Sequence, residues 1–166
     1  MVDLATIDGM LSRIEEHWQR GALEVAEALC GQLLQLSPDE PRAWFWMSLF
    51  HLQRGALPAA ESAARRAVAL DPNFAWAWNH LSAAIRDQGR AAEAEPFARR
   101  AVMLEPTSVA HWVNLGNVLG GQQRWSDAAG AYRQAVACEP QSAVAWNNLG
   151  AAEQKLRRLP AAQEAY

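Results

Sequence analysis

Four prolines, Pro38, Pro72, Pro106 and Pro140, are separated by 34 residues each time, and a tryptophan column at Trp44, Trp78, Trp112 and Trp146 keeps the same step. Self-similarity at a fixed period of this length marks a supersecondary unit that cannot bury its apolar face alone, so successive copies must supply one another's core. The function of such a chain is expected on an extended surface rather than in a deep pocket.

Aligned on the prolines, the units run 7–40, 41–74, 75–108 and 109–142, with a partial fifth over 143–166. Each is expected to hold two helices. In the third unit the spacing of Trp78, Leu81 and Ile85 predicts a first helix over 75–87, because residues at i, i+3 and i+7 share one stripe. Gly89 stops it, as glycine does just past a helix end. A second helix is predicted over 91–104, with Ala94, Ala98, Ala101 and Val102 inward, ended by Glu105-Pro106 because proline disfavours helical geometry in the residue before it.

Small residues recur where paired helices must approach: Ala26, Ala60, Ala94, Ala128 and Ala162 in one column, Ala67, Ala101 and Ala135 in another. The four column tryptophans are expected to pack into the gaps these alanines leave. Gly21, Gly55 and Gly89 mark the internal turn of the first three units. The fourth has Gln123 there after Gly120-Gly121, which predicts a shifted turn. Pro41, Pro58 and Pro160 suit the first turns of helices, and Pro96 is expected to bend the start of its helix.

These residues resemble the tetratricopeptide repeat. The likeness rests on Trp112-Val113-Asn114-Leu115-Gly116 and Trp146-Asn147-Asn148-Leu149-Gly150, on the alanine columns, on Tyr132 and on the closing prolines, and it spans nearly the whole chain. The first unit is degenerate: Met10, Arg13, Ile14 and His17 stand where tryptophan, leucine, glycine and tyrosine are expected, and it resembles an N-terminal cap. The resemblance implies an all-α, right-handed solenoid of antiparallel helix pairs, forming a single domain over 1–166 whose first helices line a concave groove that binds partners. Asn114-Leu115-Gly116-Asn117 and Asn148-Leu149-Gly150 are also similar to the repeats of O-linked N-acetylglucosamine transferases and similar bacterial enzymes, in which asparagines grip a peptide backbone.

The groove candidates are Arg42, Phe45, Trp46 and Leu49 in the second unit, then Trp76, Asn79, His80 and Ala83 in the third. Val113, Asn114 and Asn117 follow in the fourth, and Asn147 and Asn148 in the fifth. An asparagine amide offers both a donor and an acceptor, so a row of them can satisfy an extended peptide without demanding particular side chains. Trp46 and Trp76 suit anchoring of an apolar partner residue. A clamp for a partner's C-terminal carboxylate, another use of the family, needs cations at the inner positions where Phe45, Asn79 and Val113 stand, with only Arg42 and Arg86 nearby, and is disfavoured.

A net charge of -3 and a pI near 5.8 supply no electropositive footprint for a phosphate backbone, so no nucleic-acid partner is expected. No signal segment or long apolar run is evident, which predicts a soluble, cytoplasmic protein without a membrane partner. Lys155 is the one lysine, and the arginine and alanine bias points to a GC-rich bacterial genome. Cys30 and Cys138 lie three repeats apart, beyond disulfide reach at roughly 10 Å per packed helix layer, and both are expected to be small buried thiols. His17, His51, His80 and His111 show no metal-ligand spacing; His51 is expected in the core, His80 in the groove. Glu93 and Glu95 are expected on solvated faces, and no catalytic constellation or cofactor site is predicted.

The leading expectation is a protein-interaction scaffold holding an extended peptide or a partner helix, not an enzyme in itself. The alternative is a substrate-recruiting N-terminal region of a larger enzyme such as a glycosyltransferase, with the catalytic domain beyond Tyr166. A further expectation is self-association through an uncapped C-terminal helix.

Overall fold

The computed structural model describes the backbone of residues 3–163 and the side chains of residues 3–157. Among the described residues it contains nine helices and no strand: α1 (Leu4–Gln19), α2 (Leu23–Leu36), α3 (Pro41–Gln53), α4 (Leu57–Leu70), α5 (Ala75–Asp87), α6 (Ala91–Leu104), α7 (Val109–Gly121), α8 (Trp125–Cys138) and α9 (Ala143–Gln163). They form two compact units, Met1–Ala84 and Ile85–Tyr166, with the division inside α5. The helix limits predicted in the third repeat, 75–87 and 91–104, coincide with α5 and α6.

In the first unit α1 packs on α2, α2 on α3, and α3 on α4. Its core holds Ile7, Leu11, Ile14, Ala26, Leu29, Cys30, Leu33, Ala43 and Phe50, with Trp18 and Trp46 packed against it. Asp3 caps α1 by accepting from the Thr6 amide at 2.7 Å, which satisfies one of the N–H groups left over at a helix start. Pro41 and Pro58 fall in the first turns of α3 and α4, where a missing N–H costs nothing.

In the second unit α6 packs on α7, α7 on α8, and α8 on α9. Ala94, Ala128, Ala101 and Ala135 are fully buried, as are Ala26, Ala60 and Ala67 in the first unit. Ala162 lies beyond the described side chains.

The internal turns share one geometry. Gly21, Gly55 and Gly89 adopt φ of 74°, 70° and 79°, and Gln123 takes φ of 61° at the same repeat position. The fourth turn is therefore in register rather than shifted, and Gln123 accepts a left-handed conformation that suits glycine. Its neighbours compensate. Gln122 Nε2 donates to Glu95 at 2.9 Å, and Arg124 reaches the same carboxylate at 2.6 Å, tying the turn to α6. Burial opposes ionisation of Glu95, but donation from Gln122 and Arg99 and the charge of Arg124 hold its carboxyl below the usual range. Glu95 is thus a half-buried hub and not the solvated side chain expected.

The tryptophan column is not part of the fully buried core. Trp44, Trp78 and Trp112 are half-buried, and Trp146 is 53% exposed. Each indole Nε1–H donates to the carbonyl of the column proline, Trp44 to Pro38 at 2.7 Å, Trp78 to Pro72 at 2.9 Å, Trp112 to Pro106 at 2.8 Å and Trp146 to Pro140 at 2.9 Å. The physical reason is the indole's amphipathic character: its N–H seeks an acceptor, and the turn carbonyl supplies one. The fully buried column lies one residue earlier, at Ala43, Ala77, His111 and Ala145.

Two other expectations are corrected. The helix α9 continues as a single element through Pro160 instead of turning into a second helix. Arg157 stands at the turn position that glycine holds in the first three repeats, so the left-handed stop is disfavoured there. The predicted second-helix position of Tyr166 lies outside the described residues. Cys138 is exposed, whereas Cys30 is buried, donates to the Ala43 carbonyl at 3.1 Å, and has its thiol pushed up to about 12 by burial.

Candidate functional site

The inward positions of α1 and α3 meet in the first unit. Asp8, Leu11, Ser12 and Glu15 form one stripe of α1, at spacings that share a helix face, and Arg42, Phe45 and Trp46 do so on α3. With Phe74 they line a hollow of about 490 Å³. Arg42 donates to Asp8 at 2.8 Å and to Glu40 at 2.7 Å, and these carboxylates, Glu40 foremost, hold its guanidinium charged.

The aromatic rings of this unit form a connected series. Trp18 touches Trp46 and Phe50 with centroids 5.7 and 5.6 Å apart, and Phe45 meets Trp46 at 5.8 Å and Phe74 at 5.1 Å. His80 packs against Phe45 at 4.5 Å. Of the third-repeat candidates, Asn79 and His80 are buried and Trp76 is 39% exposed. Trp46 thus serves both the inner hollow and the core packing below it.

A second hollow, of about 400 Å³, lies in the second unit between α7 and α9 and is lined by Val109, Ala110, Val113, Asn114, Asn117, Ser142 and Val144. Asn114 Oδ1 accepts from Arg86 at 2.6 Å, and Asn117 Oδ1 accepts from the Tyr132 hydroxyl at 2.7 Å. Burial raises the Tyr132 pKa, with the charge of Arg86 opposing, so the phenol stays a donor at neutral pH. The ring of Tyr132 sits where a Cβ on Gly116 would be, 2.3 Å from it. This glycine is what lets the tyrosine reach Asn117.

Asn147 is exposed and Asn148 half-buried on α9. Asn147 borders a separate hollow of about 620 Å³ with Trp146, Gly150 and Arg157, so it is not brought together with Asn114 and Asn117.

Sequence reasoning missed Asp8, Ser12, Glu15 and Phe74. A signal existed: Asp8, Leu11 and Ser12 precede Arg42, Phe45 and Trp46 by one 34-residue period, so carrying the groove columns back through the degenerate first repeat would have found them. It also missed Tyr132 as a positioning partner of Asn117. Among the described residues, no group of three or more His, Cys, Asp or Glu is arranged to hold a metal ion, and no helix is long and apolar enough to cross a membrane.

Helix pairs repeated at a fixed period, with side-chain-lined hollows on the first helices, define an α-solenoid repeat protein. The chain belongs to the tetratricopeptide repeat family, whose models match residues 11–75, 58–109 and 131–164. Neither match is specific to the O-linked N-acetylglucosamine transferases. Domains of this family typically bind protein or peptide partners and are generally scaffolds rather than catalysts.

No curated protein sequence matches the chain. Among solved structures it is similar to TTC0263, a thermophilic TPR protein of Thermus thermophilus, with 20% identity, a TM-score of 0.78, and coverage of 93% of this chain and 84% of that one. The first TPR domain of human RPAP3 aligns with 19% identity and a TM-score of 0.70, covering 74% and 96%. YrrB, described as a TPR protein with an unusual peptide-binding site, aligns with 16% identity and a TM-score of 0.69, covering 90% and 77%. At these identities the likeness establishes the fold: an all-α tetratricopeptide solenoid.

Proposed function

We propose that the chain is a protein-interaction scaffold that holds an extended peptide or a partner helix against the inward faces of its first helices. The observation that carries this reading is the α7–α9 hollow, where two asparagine amides are held in place by Arg86 and Tyr132 beside Val109, Val113 and Val144. Amides fixed before binding lose less side-chain entropy on capture, and the valines provide an apolar seat for a partner side chain. The peptide-binding site described for YrrB lends the reading support by analogy of fold alone.

The test is selection of a random-peptide display library against the whole chain. The variant Val113→Asp should weaken binding of the selected peptides about tenfold, as expected for loss of an anchor, while the helical melting curve moves by no more than a few degrees. Unaltered binding by that variant contradicts the reading. Pairing of two copies along α9 is a second reading, favoured by the exposure of Trp146; it predicts concentration-dependent light scattering that Trp146→Arg abolishes.

A further inference from the structure

We propose that the hollow between α1 and α3 is a subsite for a cationic side chain of the partner, arginine before lysine. The inference rests on the scaffold reading above and deepens it for the first unit. The occupant follows from the walls. Phe45, Trp46 and Phe74 present half-buried rings around about 490 Å³ of open space. The Phe45 ring is inclined at 68° to Trp46 and 47° to Phe74. Aromatic faces set at angles to one another attract cations through their quadrupoles, and a guanidinium also stacks flat on such a face.

Charge selects the sign of the guest. Asp8, Glu15 and Glu40 lie in or beside the hollow against one guanidinium, that of Arg42. Arg42 is satisfied internally by Asp8 and Glu40. Among the described residues Glu15 meets no cation: its carboxylate accepts only a 3.3 Å hydrogen bond from Gln19. An entering guanidinium would therefore find an open carboxylate in the same hollow as the aromatic rings, and such a charge-assisted pair is the stronger kind of hydrogen bond. An anionic side chain would meet Glu15 with no compensating cation, and a neutral aliphatic one would leave the acidic wall unused. The arrangement is opposite in sign to a carboxylate clamp.

The probe is N-acetyl-arginine methylamide, compared with its citrulline analogue, which keeps the planar shape and three of the five N–H donors but lacks the charge. Both are titrated into the whole isotope-labelled chain and followed by NMR. The arginine compound is expected to shift the Trp46 indole signal saturably, with binding at least about fivefold tighter than the citrulline compound. Glu15→Lys should remove that preference. Because Glu15 is exposed, the variant is expected to keep its far-UV circular dichroism and melting curve.

Equal binding of the two compounds, or a preference that survives Glu15→Lys, overturns the proposal. The peptide selection separates this failure from that of the parent reading. Library peptides that bind with sensitivity to Val113→Asp but without enrichment in arginine or lysine would leave the scaffold reading standing and this subsite refuted.

Discussion

The inward faces of the two units are built on one scaffold and carry opposite chemistry. In the first, α1 and α3 surround a hollow with aromatic rings, carboxylates and an internally neutralised arginine. In the second, α7 and α9 surround one with valines and oriented amides. The alanine columns beneath are the same in both, Ala60 and Ala67 against Ala128 and Ala135, all fully buried. The fully buried alanine positions of the 34-residue period are thus shared by both units while the residues that line the hollows differ, although Trp46 belongs to hollow and core together.

The difference extends to how each pair is packed. Ser48 and Ala64 stand sixteen residues apart in the second repeat, where Gly116 and Tyr132 stand in the fourth. Ser48 donates to the Ala60 carbonyl at 3.0 Å. The fourth repeat trades that short bond for a tyrosine that crosses the glycine and orients Asn117.

The largest predicted effect probes that trade. Gly116→Ala places a methyl group inside the Tyr132 ring and should cost about 2–3 kcal/mol by overpacking, measured by urea denaturation. Gly150→Ala, at the same position of the next repeat with nothing within 4 Å, should instead be neutral or stabilise by up to ~1 kcal/mol through helix propensity. Similar losses in both variants would remove the argument that Tyr132 needs this glycine.

Next in size, Gln123→Gly should raise stability by about 1 kcal/mol, since the left-handed backbone there costs a glycine little. No gain would mean that the Gln122 and Arg124 ties have already offset the strain. Tyr132→Phe should cost about 1 kcal/mol for the lost bond to Asn117 and weaken peptide binding in the second unit while leaving arginine binding in the first unit unchanged.

The smallest effect is a pH dependence. His111 replaces the alanine of Ala43, Ala77 and Ala145, is fully buried and lies 3.2 Å from Glu105. Burial lowers its pKa below the ordinary 6.5, with Glu105 opposing. A folded state that resists protonation binds fewer protons than the unfolded chain, so stability is full above that ordinary value and falls as pH drops below it. His111→Ala should flatten the decline between pH 7 and 5 in thermal melts. A parallel decline in the variant would assign it to other groups.

Much of the fold was legible because two signals reinforce one another: a 3.6-residue apolar period within helices and a 34-residue period between them. Hence α5 and α6 were placed to the residue. The tryptophan column was misjudged because recurrence reveals that an aromatic ring is needed, not whether its face or its N–H does the work. The buried column beside it escaped notice because His111 interrupts its alanines. The left-handed Gln123 and the uninterrupted α9 depend on whether tertiary ties outweigh local preference, which no single position reveals.

The candidate site was legible in part. Arg42, Phe45 and Trp46 were read from their column, but the carboxylates facing them sit in the repeat whose degeneracy hid its register. The pairings of Arg86 with Asn114 and of Tyr132 with Asn117 join residues 28 and 15 apart, and only folding brings them together.

The most direct test of a groove on the first helices is the indole region of an NMR spectrum, recorded with and without a peptide selected against the whole chain. Trp46 and Trp76 should shift, while Trp44, Trp78, Trp112 and Trp146, whose N–H groups are held by proline carbonyls, should stay in place. Movement of those four with Trp46 and Trp76 unmoved would contradict the account.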